Sequence, residues 1–320
     1  MDVYRPENKY FLSDLTRGYI FPYYKKITEM ILVLPPPFNG ESANSESLAV
    51  PVLHQKDDSE GKIEIKFYGQ DSVSETALNS AKNWALFVTG LNDDYDEFFS
   101  TITDQVTIRA IETVGKYYRL TAAPPYQMLL NVVISQNTTA EQYRKMLEKF
   151  AEKYGVPFIL EGITGKTLHA YPALSSEIDA EGLREIGFGY RDKYIINTLE
   201  FIKKGNLDRI VAETPKEAVK KLVVLNGVGQ YSARCFAIYG MKHYSSVFID
   251  SYVKSLVNYF YKNEINTEKL TLKEFDAFAE RKWGRFAAIA LEYLFIYYQP
   301  YFVKARRVRR SKRGRKKKGD

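Results

Sequence analysis

The stretch Leu222–Asp250, LVVLNGVGQYSARCFAIYGMKHYSSVFID, constrains this chain more than any other. A helical pattern begins at Thr214, with Pro215 at its first position, and continues through Ala218, Leu222 and Leu225. Asn226-Gly227-Val228-Gly229 breaks it, and a second helix is expected from Gln230 to Tyr239. The two glycines permit positive φ and leave the backbone bare. Val228 between them can plug the gap between the helices. The amides of the turn and of the second helix's first residues then point outward, and such a helix N-terminus holds a phosphate without needing a side chain. The expected property is a grip on one nucleic-acid strand that ignores sequence.

A G-x-G turn alone is a weak signal. Gly187-Phe188-Gly189 has the same form and reads as a plain connector between helical stretches. The company kept by the second turn is more specific. Ser232-Ala233 are small enough to let helices approach closely, and Phe248-Ile249-Asp250 places an acid 21 positions after Gly229, where a fresh helix begins at Ser251. Asp250 can simply cap that helix. It can also be a fixed carboxylate that stabilises positive charge on a reacting sugar and orients water. The two roles are compatible.

The first third reads as strands and loops. Lys26–Leu34 holds an apolar run stopped by Pro35, Pro36 and Pro37, and a polar loop with Asn39, Gly40 and Ser42 follows. Leu48–Leu53 is a candidate strand, Lys62–Tyr68 alternates as KIEIKFY with the period of a half-buried strand, and Asn83–Thr89 is a further apolar stretch. Past about residue 95 the pattern turns helical. Thr138 and Glu141 fit a capping box, Tyr143, Met146, Leu147, Phe150 and Tyr154 follow at helical spacing, and Gly155 suits the C-cap.

Charge is unevenly placed. The 320 residues carry a net charge of +7, yet eleven of the 46 lysines and arginines fall between Lys304 and Lys318, where there is no acid. With Asp320 the one acid beyond, residues 1–303 keep 35 bases and 38 acids. The tail 304–320 is expected to be disordered and to serve as an arm for a polyanion, or else merely to solubilise. The single cysteine, Cys235, excludes an internal disulfide and a cysteine-ligated zinc or iron–sulfur site. His54, His169 and His243 are too scattered for a metal site. Phe286–Val303 contains Glu292, Gln299 and Pro300, which favours a buried helix ending near Pro300 over a membrane span. Met1–Phe11 lacks the apolar core of a secretory signal. An intracellular, soluble monomer with no membrane partner is expected.

Taken together these segments resemble the helix-hairpin-helix DNA glycosylase superfamily, whose hallmark is the hairpin followed by a lone aspartate after an apolar pair. Ser135-Gln136-Asn137-Thr138-Thr139 resembles the family loop whose polar residue fills the gap left in the base stack. Leu183–Ile195, LREIGFGYRDKYI, resembles the helix-turn-helix before the hairpin, and Trp283–Leu294 resembles the last core helix. The resemblance spans about residues 95–300. It implies an α+β fold: a small antiparallel sheet domain over 1–95, a helical core over 96–303 with the hairpin at 222–239, and the basic tail.

The resemblance also implies roles. The sheet domain and the lone cysteine are similar to the alkylbase and 8-oxoguanine branches, and unlike the endonuclease III and adenine-mismatch branches, which usually carry an iron–sulfur cluster. Lyase members place a lysine two positions after the second hairpin glycine, where its amine forms a Schiff base. Here that position is Tyr231, which implies a monofunctional enzyme unless another lysine, such as Lys242, serves. Asp250 is then the catalytic carboxylate, and Tyr231 a base-pocket residue. Gly227, Val228, Gly229 and Gln230 hold the DNA strand, and Gln136 or Asn137 fills the hole left by a flipped base. No cofactor and no metal are implied, and the partner is double-stranded DNA with a damaged base. The first expectation is a glycosylase for alkylated purines such as 3-methyladenine. The alternatives are an 8-oxoguanine or mismatch glycosylase, with or without lyase activity, and a non-catalytic DNA-binding protein.

Overall fold

A computed structural model describes residues 2–13, 17, 23–34, 49–57, 59–69 and 73–316. Pro35–Pro37, the loop at Asn39, Gly40 and Ser42, and residues 317–320 lie outside the described residues. By packing, the chain forms two units, one of residues 1–93 and 117–242, the other of residues 94–116 and 243–320.

The first unit opens with strands β1 (Asp2–Tyr4), β2 (Lys25–Thr28), β3 (Ile31–Val33), β4 (Val50–Asp57) and β5 (Lys62–Tyr68), which form one antiparallel sheet in the order β1-β5-β4-β3-β2. The alternation in KIEIKFY does what its period requires. Ile63, Ile65 and Phe67 turn to one face with Leu53 and Leu32, and bury against Ala81, Trp84, Ala85 and Val88 of helix α1 (Glu75–Thr89). The apolar stretch Asn83–Thr89 therefore belongs to a helix, capped at Ser74, whose side chain accepts from the Ala77 amide.

The opposite sheet face, Val33, Val50 and Val52, is also covered, by Phe158, Leu160, Leu168 and Ala170 around the small hairpin of β6 (Pro157–Phe158) and β7 (Leu168–His169). That second buried face is why the sheet does not stand alone. The expected boundary at 95 lies where the chain first leaves the first unit, but residues 1–93 pack in the same unit as 117–242 instead of forming a domain of their own.

Helices α2 (Asp96–Thr101) and α3 (Gln105–Val114) belong to the second unit. The chain then returns to the first with α4 (Pro125–Ile134), α5 (Ala140–Tyr154), α6 (Ala180–Glu185), α7 (Arg191–Lys203), α8 (Asn206–Val211), α9 (Pro215–Leu222) and α10 (Gln230–Tyr239). Helix α4 is buried from Gln127 to Ile134 and packs on α7 and α10, so it is the post around which the hairpin is built. Its end leads into the loop 135–139. The capping box of α5 is real but sits one residue later than expected. Thr139 is the N-cap and Gln142 answers it.

The second unit ends with α11 (Ser251–Tyr261), α12 (Leu272–Trp283) and α13 (Ala287–Lys316). Helix α11 packs on α13, and its last residue, Tyr261, donates to Asp104 Oδ2 at 2.6 Å just before α3. Trp283 is core, with its indole N–H on Thr107 Oγ1 at 3.0 Å. Two expectations fail here. Pro300 does not stop α13, and the backbone of 304–316, expected without regular structure, continues the same helix. Alanine, arginine and lysine are strong helix formers. A proline inside a helix removes one backbone hydrogen bond without ending the helix when the residues on both sides favour it.

Candidate functional site

The hairpin forms as its spacing predicts. Thr214 caps α9, Pro215 takes its first position, and α10 begins at Gln230. Helix α9 stops at Leu222, three residues before the Leu225 expected from periodicity. Val228 is buried, the plug between the two helices. Gly227 is held at φ +90, and a Cβ on it would stand 2.5 Å from Cγ of Tyr194 on α7. Both the backbone angle and the close approach demand glycine at this position. Gly229 differs. It has extended backbone, and nothing lies within 4 Å of where its Cβ would be. As the N-cap of α10 it offers no side-chain cap, the form of helix head that suits an anion.

The loop 135–139 ties this turn to the other G-x-G turn. The Gln136 side-chain amide donates to the Gly227 carbonyl, and the Gln136 carbonyl accepts from the Arg191 guanidinium. Gln136 is thus half-buried and bonded within the protein through both its side-chain amide and its carbonyl. Asn137 is the exposed member of the pair. It has φ +50, a conformation that asparagine tolerates better than most residues, and its amide donates to the Tyr190 hydroxyl at 3.0 Å.

Tyr190 and Arg191 are functional candidates that the sequence analysis missed. Phe188 is fully buried between Gly187 and Gly189, so this turn is plugged as Val228 plugs the hairpin, although here both glycines have positive φ. Tyr190 then stands half exposed at the head of α7, with the Arg191 guanidinium 4.7 Å from its ring centre and Tyr194 packed edge-on behind it. The signal was present as the repeated G-x-G form, which by itself reads as a connector. What the sequence hides is that Gln136 is bonded to one turn and linked to the other through Arg191.

Tyr231, the second residue of α10, is half-buried in this same unit. Lys242 has its ammonium on Asp93 Oδ1 at 2.6 Å, which engages the amine considered as an alternative nucleophile.

Asp250 lies in the second unit. Buried Val247 and Phe248 anchor the segment before it, and its Oδ1 accepts from the Val253 amide at 2.7 Å as the N-cap of α11. The capping role is therefore real, and it fixes the direction in which the carboxylate points. Two residues on, Tyr252 packs its ring tilted against Phe295 and Phe302, with centres 4.4 Å away in each case, and donates to the Phe295 carbonyl at 2.9 Å. Burial, then Tyr298 and the Asp250 and Glu292 carboxylates, push the Tyr252 phenol far above its ordinary value, so it stays protonated. The acid thus borders an aromatic cluster of the kind on which a flat base can stack. Among the described residues no group of histidine, cysteine and acid side chains could hold a metal, and no helix is long and apolar enough to cross a membrane.

No protein-family model matches the chain. Its sequence is 30% identical over 189 residues to the N-glycosylase/DNA lyase OGG1 of Arabidopsis thaliana, across 56% of this chain and 51% of that protein. The match therefore spans about half the length of this relative. The fold superposes on the Clostridium acetobutylicum 8-oxoguanine glycosylase/lyase, solved with DNA containing cytosine opposite 8-oxoguanine, with a TM-score of 0.74 at 20% identity, over 94% of this chain and 98% of that one. It superposes equally on the 3-methyladenine DNA glycosylase of Archaeoglobus fulgidus, with a TM-score of 0.74 at 17% identity, over 94% and 99%.

Proposed function

The chain has the fold and the hairpin of the helix-hairpin-helix DNA glycosylase superfamily, and from that premise we propose that it is a DNA glycosylase of base excision repair acting on an oxidised guanine of the 8-oxoguanine type. The expectation of an alkylated purine as first substrate gives way here, because the sequence similarity is to an N-glycosylase/DNA lyase, OGG1, and a solved neighbour of the same fold is an 8-oxoguanine glycosylase/lyase. The DNA strand is held by the bare amides at Gly229 and the head of α10. Asn137 and Tyr190 form the exposed tip that replaces the flipped nucleotide. Asp250 stabilises the positive charge that grows on the sugar as the base leaves, and the aromatic ring of Tyr252 offers a stacking surface.

One observation carries the mechanism: a carboxylate locked by its own helix cap stands two residues from an aromatic cluster. The bond is cut by water and not by a protein amine, because Tyr231 takes the place where lyases of this superfamily carry lysine, and a phenol forms no Schiff base. The residue at 231 also supports a second reading, an alkylated purine as substrate, since the alkylbase branch carries an aromatic there. A lesion panel tests both readings. Duplexes with a single 8-oxoguanine opposite cytosine, or a single 3-methyladenine, are incubated with the full chain and free base is measured before alkali. Faster release of 8-oxoguanine is expected, and faster release of 3-methyladenine would favour the second reading. No release from either would reduce the protein to one that only holds DNA.

A further inference from the structure

Helices α11 and α13, both in the second unit, meet along an aromatic seam. Helical spacing puts Tyr252, Ser255 and Tyr259 on one stripe of α11, and Phe295, Tyr298 and Phe302 on one stripe of α13. The Ser255 and Tyr298 hydroxyls bond to each other at 2.8 Å across the seam. At the Tyr252 end the rings are half-buried. Seven residues on, about 10 Å along α11, the seam opens to solvent. Tyr259 is 50% exposed and Tyr301 40%. Among the described residues of the second unit these two are the exposed large apolar side chains, and their ring centres lie 5.2 Å apart. Buried Tyr298 supports both, 5.3 Å from Tyr259 and 6.4 Å from Tyr301, its plane within 13° of the Tyr301 plane. Such a pair of rings, held from below, is a surface for flat groups.

Charge at this end of the seam is one-sided. Helix α11 carries no acid after its cap, Asp250, and exposed Lys262 stands three residues past Tyr259. Helix α13 carries no acid after Glu292, which is buried. Lys304, three residues past Tyr301, opens the run that holds eleven lysines and arginines and no acid up to Lys318, and the backbone of α13 continues through it to Lys316. On α3, Arg109 is exposed, with exposed Glu112 one turn further on. Burial and Tyr301 push the Tyr297 phenol above its ordinary value, and the Arg109 charge opposes them, so this cation acts at the same patch.

Rings and charge together specify the occupant. A run of bases without acids attracts phosphates. Duplex DNA offers phosphates, but the faces of its bases are covered by their neighbours in the stack. A single strand offers both phosphates and free base faces, and stacking on aromatic side chains beside basic charge is how such strands are held. We propose that the open end of the seam, Tyr259 and Tyr301, together with the basic run that follows on α13, is a surface for single-stranded DNA, with unpaired bases on the rings and phosphates along the basic run. This surface is separate from the hairpin and from Tyr252, and the proposal does not rest on the glycosylase reading.

The test uses the full chain and an oligothymidylate of about 12 nucleotides, which has no purine and no lesion, so that base release plays no part. Wild type is expected to bind it with a marked salt dependence. At one fixed salt concentration, Tyr259→Leu combined with Tyr301→Leu should weaken binding at least about tenfold, whereas Tyr259→Phe combined with Tyr301→Phe should stay within about twofold, because stacking needs the ring and not the hydroxyl. Lesion-free duplex should bind the leucine pair within about twofold of wild type, since its contacts are to phosphates. A single 5-iodouracil in the strand should crosslink on irradiation to Tyr259 or Tyr301. The proposal is overturned if oligothymidylate does not bind, even where phosphatidylserine vesicles or a second copy of the chain occupy the face instead. It is overturned equally if the leucine pair binds like wild type, if duplex affinity falls as far as single-strand affinity, or if crosslinks form only elsewhere. Tighter binding of an oligouridylate of the same length would assign the face to RNA and also overturn it. Should the leucine pair not fold, Tyr259→Leu alone decides by the same criteria. Failure here leaves the glycosylase reading intact, and failure to release base leaves this proposal intact.

Discussion

In the proposed function the two units would solve opposite electrostatic problems by opposite means. The first would hold an anion with backbone: Gly229 brings no side chain, and no side-chain cap closes α10. The second would meet a developing cation with a side chain, Asp250, whose direction is set by a hydrogen bond to the helix that it caps. Binding by backbone tolerates substitution wherever the main-chain path survives, and chemistry by a carboxylate tolerates almost none. Mutations should therefore sort by unit, into those that move affinity and those that move rate.

The sharpest separation is expected from Asp250→Asn. Asparagine keeps an oxygen for the Val253 amide, so the cap survives while the charge is lost. Base release should fall roughly a hundred- to a thousandfold in single-turnover assays, with duplex affinity within about twofold of wild type. Release at the wild-type rate would remove Asp250 from the mechanism.

Gly227→Ala is the mirror experiment. The added Cβ meets Tyr194 at 2.5 Å on a backbone at φ +90, so stability should drop by about 2–4 kcal/mol and duplex affinity with it. Unchanged denaturation and affinity would show that the turn is neither tight nor in contact with DNA.

Tyr190→Ala should act between the two extremes, slowing release about tenfold at modest cost in affinity, because the tip that replaces the flipped base is truncated while the grip remains. An effect confined to affinity would place Tyr190 with the hairpin. The smallest change is expected from removing residues 304–320. Non-specific binding should weaken and its salt dependence become shallower, and an unaltered slope would leave the tail a solubilising segment.

The two G-x-G turns show what was legible and what was not. Gly227-Val228-Gly229 was readable because a proline-started helix precedes it and an acid follows at fixed distance. Gly187-Phe188-Gly189 has the same plugged build, yet it is tied to Gln136, distant in sequence, only through Arg191, and nothing local announces that link. Strand β5 was readable because its period is two and one of its faces is buried. Helix α1 was not, because Asn83–Thr89 is apolar on too many sides for periodicity to distinguish helix from strand. Asp250 was legible as the cap of α11. Its aromatic border was hidden, since Phe295 and Phe302 come from α13 and reach Tyr252 only through packing.

Hydrolysis by an aspartate, with no amine nucleophile, is the central claim, and one reaction tests it most directly. The full chain is mixed with a duplex bearing a single 8-oxoguanine opposite cytosine. Free base, strand breakage without alkali and borohydride-trapped adduct are then followed over one time course. Free base should accumulate while the strand stays intact and no adduct forms. A trapped adduct, or breakage keeping pace with base release, would contradict the account.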